Sequence, residues 1–438
     1  MNKDSRKGRY PVKALALFLA LALTLAAAAP GPDEAPAAFD GASNGLVDQA
    51  TYESDRSSFD EAEAIADGLG PLYNAQACRE CHQNPDSGGG SQITELRAGH
   101  RDRKGQFVDP SIPIGDGTVV VTGRTLVNDR AICPNAAFPD QEIQERVPDS
   151  ENIRALRLSL SLLGDGFVEA VPDETLKAIA ARQARETHGR ICGMTISVPV
   201  VEAPGNYRVG RFGWKDQHAS LLSFSADAYL NEMGITSRLF PAEIVTLCDT
   251  VKDPEDAADA DGTADIDRFA RFIRATKAPP RDARLAETPD AKKGSAIFAS
   301  IGCSSCHVPS METAPAGTQL NGGAFTVPPA LGGKVFHPYS DFLLHDVGTG
   351  DGIVSAVPEH FGMRYMNMQA TFNPTANRLR TAPLWGVRTR SRLMHDAMSV
   401  TFADAIARHQ GEACKERKKF LRLSDREKQQ LFAFLRSL

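Results

Sequence analysis

Two copies of one five-residue pattern, Cys78-Arg79-Glu80-Cys81-His82 and Cys303-Ser304-Ser305-Cys306-His307, constrain this chain more than any other feature. Thiols three positions apart lie on one side of a helical turn, so both can bond the two vinyl groups of one porphyrin. The histidine that follows then sits over the iron as its proximal ligand. The pattern predicts two covalently bound c-type haems, one held by Cys78, Cys81 and His82 and the other by Cys303, Cys306 and His307. The competing reading is a four-cysteine zinc site built from both pairs. It leaves the two histidines unexplained, and the pairs stand far apart in a chain that reads as exported.

The export reading rests on the N-terminus. Lys3, Arg6, Lys7, Arg9 and Lys13 precede an apolar run from Ala14 to Ala29, broken only by Thr24. Ala27-Ala28-Ala29 before Pro30 offers a small-residue cleavage site, so residues 1–29 are expected to be a signal peptide and the mature chain periplasmic. The run is short for a membrane span, although a retained N-terminal anchor is the alternative. No other segment is apolar enough to cross a bilayer. A net charge of −6 gives no footing for nucleic acid. Four cysteines remain beyond the haem motifs: Cys133, Cys192, Cys248 and Cys414. They allow three complete pairings, and spacing does not choose among them.

The organisation follows from caps and breakers. Residues 30–56, rich in Ala, Pro, Gly and Asp, read as a flexible lead-in, with a capped helix running from Ser57-Ser58-Phe59 towards Gly68. Thr288-Pro289-Asp290 opens a helix that ends at Gly302, immediately before Cys303. Ser424-Asp425-Arg426-Glu427 is a capping box for a closing helix carrying Leu431, Phe432, Phe434 and Leu435 on a helical period. A similar closing helix, Ile266 to Thr276, ends the first half. These elements predict a mainly helical protein of two cytochrome c-like domains, 57–285 and 286–438. The first would carry a large insertion at about 101–205, mixing short strands (Thr118–Thr122, Thr195–Val201) with a helix (Asp173–Arg185). Asp259 to Asp267 suggests calcium, but Gly262 stands at the fourth position of the loop rather than the sixth, so it reads as a capped acidic turn.

Further elements follow in order. They are Gly68-Leu69-Gly70-Pro71, Gly210 to Lys215, Asn231 to Thr236, Leu343 to Gly348, Ala382 to Gly386, His395-Asp396 and Ala405 to His409. From about residue 57 to the C-terminus the chain resembles the di-haem oxidoreductases described as peroxidases or thiol oxidoreductases. It is more distantly similar to bacterial di-haem cytochrome c peroxidases and to the di-haem enzyme that matures tryptophan tryptophylquinone. The resemblance implies a peroxide-binding haem fed with electrons by a second one. It implies that Trp214 relays charge between the haems and that Glu232 is the acid–base group above the peroxide-binding iron. His100 matches the removable distal ligand of that iron. His409 falls where the peroxidases carry the Met ligand of the electron-entry haem, and His in place of Met lowers that haem's potential. Trp385 reads as a core residue; His345-Asp346 and His395-Asp396 read as groups that orient ligands or propionates. Met366 or Met368 is the substitute for His409.

The implied activity is reduction of hydrogen peroxide with electrons from a small cytochrome or cupredoxin. The alternatives are a high-valent haem oxidase acting on a protein or organic substrate, and a plain electron-transfer cytochrome. No remaining cysteine has a visible activating neighbour, so thiol chemistry gains little support.

Overall fold

The computed structural model describes residues 33–355 and 373–438. The export signal, His360 and the three methionines Met363, Met366 and Met368 lie outside the described residues.

Order begins earlier than expected. Asp33–Glu34 pairs in parallel with Lys334–Val335, and the Asn44 side-chain amide donates to the carbonyls of Arg274 and Thr276, tying down the segment expected to be a flexible lead-in. The first long helix is Gln49–Asp60, not one that starts near Ser57. The Asp48 carboxylate caps it by accepting from Thr51 N, and the chain turns extended at Glu61. Its buried residues Tyr52 and Phe59 pack on the helix Asp265–Ala275. Phe59 lies tilted 4.9 Å from Phe272 and meets Phe269 edge-on at 6.2 Å.

The later helices fall where their caps place them. Pro289–Ile301 is capped by Thr288 and stopped by Gly302 at φ +100°, and Asp425–Ser437 carries the Ser424–Glu427 capping box. These two helices cross closely at Gly294, where an added Cβ would lie 2.0 Å from the Gln430 carbonyl oxygen. Phe298 and Phe434 fill the contact, 5.2 Å apart.

The insertion is where the fold departs from the expected class. Thr94–Arg101 is the central strand of a four-stranded antiparallel sheet, flanked by Phe107–Val108, Leu126–Val127 and Ile153–Leu158. The hairpin Ile112–Ile114 with Val119–Val121 and the pair Ser197–Pro199 with Tyr207–Val209 add further strands. Helix accounts for 31% and strand for 15%, so the fold is mixed rather than mainly helical. Local periodicity reported the helices, but the pairing of Thr94–Arg101 with Ile153–Leu158 joins residues 54 to 64 positions apart. A disulfide joins Cys133 to Cys248, while Cys192 and Cys414 are free thiols.

The largest core cluster runs from Tyr52 to Trp385 and draws on both halves of the chain, with Phe167, Phe272, Phe336 and Phe342 in one apolar mass. A separate cluster from Phe298 to Leu438 holds the C-terminal helices together. Among the described residues no helix is long and apolar enough to cross a membrane.

Candidate functional site

Two cavities are built around the two Cys-x-x-Cys-His motifs. The first, of about 500 Å3, is lined by Cys78, Cys81 and His82. The second, of about 210 Å3, is lined by Cys303, Cys306 and His307. Because each motif lines its own cavity, the four thiols do not converge on one zinc ion. Burial pushes the thiols up, Cys81 and Cys303 each to about 12, so none is a ready thiolate.

The histidines share one geometry. A carbonyl oxygen only accepts, so a ring nitrogen beside it must carry the proton, and the other nitrogen is left as a lone-pair donor. His82 Nδ1 lies 3.3 Å from the Gly89 carbonyl, His307 Nδ1 3.0 Å from that of Tyr339, and His409 Nδ1 2.8 Å from that of Ala405. All three are thereby set as Nε2 donors. Burial lowers each below the ordinary imidazole range, His307 to about 4, which keeps the ring neutral as a metal ligand must be.

His409 lines the same cavity as His307, where it follows the short helix Phe402–Arg408. His100 is not brought to the first cavity. It sits on the strand Thr94–Arg101 with Nδ1 2.7 Å from the Glu151 carboxylate, so among the described residues His82 is the one histidine lining that cavity. The match that singled out His100 was a short Gly-His pair, and the strand's pairing to Ile153–Leu158 decides where its ring goes.

Glu232 lines the first cavity, at the end of the helix Leu221–Met233. Ser220 caps this helix and Gly234 ends it at φ +80°, where an added Cβ would lie 2.4 Å from the Gly70 carbonyl oxygen. This close approach locks the helix end to the segment leading into Cys78. The Glu232 carbonyl accepts from Asn74 N, and its Oε2 accepts from Asn74 Nδ2 at 3.0 Å. Burial, reinforced by the neighbouring Glu95 carboxylate, raises the Glu232 carboxyl well above the usual range.

Trp214 is 9% exposed and lines both cavities, as do Leu158, Ser159, Leu160 and Arg380. Its Nε1 donates to the Leu158 carbonyl at 2.7 Å. Next to it, Lys215 Nζ is buried and donates to three backbone carbonyls and to Asp351. Trp385, 3% exposed, packs on Phe336 and lines neither of these cavities.

His345 lines the second cavity, but both ring nitrogens are taken, Nδ1 by Glu412 at 2.8 Å and Nε2 by Asp341 at 2.9 Å. That removes it as an iron ligand, although Cys306, Asp341 and His345 come within 4.8 Å of one another. His395 lines the same cavity and Asp396 is ion-paired with Arg408.

Residues that sequence reasoning missed complete the walls. Glu95 and Arg97 reach the first cavity from the strand Thr94–Arg101, two positions apart and so on one face. The signal was Glu-x-Arg alternation just before His100, too common to stand out. Arg124, 4% exposed, lines the first cavity and faces Glu145 at 3.0 Å with unused donor capacity. Arg380, also 4% exposed, has Nε and Nη1 without hydrogen-bond partners among the described residues. Buried guanidinium groups left short of partners on the walls of both cavities fit a porphyrin, whose two propionates supply the missing acceptors. Paired thiols, a neutral imidazole, apolar walls and spare arginines are a set of donors that fits a haem.

The model of the family described as "Di-haem oxidoreductase, putative peroxidase" matches residues 133–438, and the chain belongs to this family. The protein is therefore a haem-dependent oxidoreductase; its first Cys-x-x-Cys-His motif precedes the matched stretch. Among solved structures, the chain is similar to hydrazine synthase of Kuenenia stuttgartiensis, with 14% identity over 98% of this chain and 100% of that one and a TM-score of 0.39. A MauG-like protein associated with microbial copper homeostasis shares 12% identity over 94% of each chain, also with a TM-score of 0.39. The di-haem peroxidase BthA of Burkholderia thailandensis E264 shares 16% identity over 52% of this chain and 65% of that one, with a TM-score of 0.30. No curated protein matches the chain.

Proposed function

We propose that this protein is an exported enzyme with two covalently attached c-type haems that reduces hydrogen peroxide to two waters. Two electrons come from a small cytochrome or cupredoxin and two protons from solvent. Cys78, Cys81 and His82 would hold one haem in the N-terminal part, about 57–285, and Cys303, Cys306, His307 and His409 the other, about 286–438. The haems, when bound, supply iron that exchanges single electrons.

The observation that carries this reading is the asymmetry of the two cavities. His409 shares the second cavity with His307, whereas in the first the described residues set a carboxyl, Glu232, and no second histidine beside His82. A site closed by two histidines suits electron entry, and one left open beside a proton donor suits peroxide. Asn74 orients the Glu232 carboxyl through Oε2. With its affinity for protons raised by burial and the neighbouring Glu95 carboxylate, Glu232 gives a proton to the departing peroxide oxygen and recovers one from the other oxygen. Trp214, in the wall common to both cavities, excludes water between them and offers an aromatic route for charge.

The test is peroxide-dependent oxidation of a reduced small cytochrome or cupredoxin by the purified protein. Turnover in the wild type and a loss of about 100-fold or more in Glu232→Gln support the reading. Equal turnover in the variant sinks the role of Glu232, and no turnover in the wild type sinks the peroxidase reading. The oxidase alternative shares both cavities and differs in what donates the electrons.

A further inference from the structure

Glu95 lies within hydrogen-bond reach of Glu232 across the first cavity, one from the strand Thr94–Arg101 and the other from the helix Leu221–Met233. Two carboxylates at that separation cannot both be ionised without large cost, so a single proton between them is the stable arrangement. Their other partners differ. Arg97 grips Glu95, its Nε and Nη2 each 2.7 Å from Oε1, and Arg157 on the neighbouring strand adds a second positive charge. Glu232 has the neutral amide of Asn74 instead. The Cys81 thiol and the His82 imidazole also face the pair.

We propose that Glu95 is a positioning residue for Glu232: clamped as a carboxylate by Arg97, it accepts a hydrogen bond from the protonated Glu232 carboxyl, fixing both the proton and the direction in which Glu232 points. The proposal rests on reading Glu232 as the proton-handling group of the first cavity. The directions of titration agree with it. Burial works to raise Glu95, but the Arg97 charge and the bond from Glu232 outweigh it and hold Glu95 below the usual carboxylate range, while Glu232 moves the opposite way. The arrangement explains why an acidic residue stands where a second negative charge would be costly. Without Glu95, burial alone would have to keep the proton on Glu232, and nothing on the strand would orient it.

The test is infrared titration of the holoprotein with 13C-labelled glutamate, in the resting state and without peroxide. Its outcome is therefore separable from that of the peroxidase reading. The wild type should show a protonated carboxyl band at neutral pH that disappears in Glu232→Gln. In Glu95→Gln, which removes the charge, the midpoint of that band should fall by about one pH unit or more. In Glu95→Asp, which keeps the charge but is one methylene too short, the band should move to the higher frequency of a carboxyl that donates no hydrogen bond. The second variant also serves if the first fails to retain haem. An unchanged midpoint in Glu95→Gln, or an unshifted band in Glu95→Asp, overturns the proposal.

Discussion

Trp214 stands edge-on to His395, ring centroids 6.0 Å apart, in the wall between the two cavities. Leu158 ties the two residues together. Its carbonyl accepts from Trp214 Nε1 at 2.7 Å, and its own N–H donates to the His395 carbonyl at 2.6 Å. The sheet strand Ile153–Leu158 therefore holds the aromatic contact in place, which makes the insertion part of the wall between the cavities.

Trp214→Phe keeps an aromatic ring but removes the donor to Leu158. The loss of this buried bond is expected to cost about 1–3 kcal/mol of stability. Haem content and peroxide binding at the first site should be retained, while electron transfer between the haems slows at least about tenfold, the equivalent of about 1.4 kcal/mol on the barrier. Stopped-flow absorbance at the two haems separates these effects.

His409→Met should raise the potential of the second haem, because Met/His ligation favours the reduced iron over His/His. Axial ligands span about 0.8 V across haem proteins, so a shift on the order of 0.1 V is expected in a spectroelectrochemical titration. The first haem, whose cavity His409 does not line, should keep its potential.

The disulfide between Cys133 and Cys248 closes a loop with a sequence separation of 115. Replacing both with serine releases that constraint on the unfolded chain and should cost about 2–5 kcal/mol. Denaturant unfolding of the oxidised wild type against the double variant measures it.

Glu63 accepts from the Tyr229 hydroxyl at 2.8 Å, and burial raises it from an ordinary 4.5 to about 7. The folded state thus holds this proton more tightly than the unfolded chain. Stability is fully present below the unfolded value and is lost as pH rises through the folded one. Glu63→Gln should flatten the fall in urea midpoint between about pH 4.5 and pH 7, since an amide does not titrate. An unchanged slope would assign the pH dependence to other buried carboxyls such as Asp165.

Much of this was legible from local pattern. The haem motifs, the capped helices Pro289–Ile301 and Asp425–Ser437 and the closing helix of the first half all depend on residues a few positions apart. That Glu232 would line the first cavity and His409 the second was suggested only by family resemblance. The sheet was not legible, because its register matches Thr94 to Leu158 and Gly99 to Ile153, and short strands of mixed polarity carry no period long enough to read. For the same reason His100 looked like a ligand although its strand directs it to Glu151, and Glu95 went unnoticed although the same strand delivers it to the cavity. The first helix was misplaced because its cap, Asp48, lay in a segment whose composition resembled a linker, and Ser57 falls inside the helix rather than at its start.

In the function proposed above, the first haem site is open beside Glu232 while the second is closed by His307 and His409. The direct measurement is EPR and optical spectroscopy of the purified oxidised protein before and after one equivalent of hydrogen peroxide, with His409→Ala alongside. Two haems are expected, one of them low-spin in the wild type and lost as a low-spin signal in His409→Ala, and the other changing its spectrum on peroxide addition. Two low-spin irons that both ignore peroxide would contradict it and leave the protein an electron carrier.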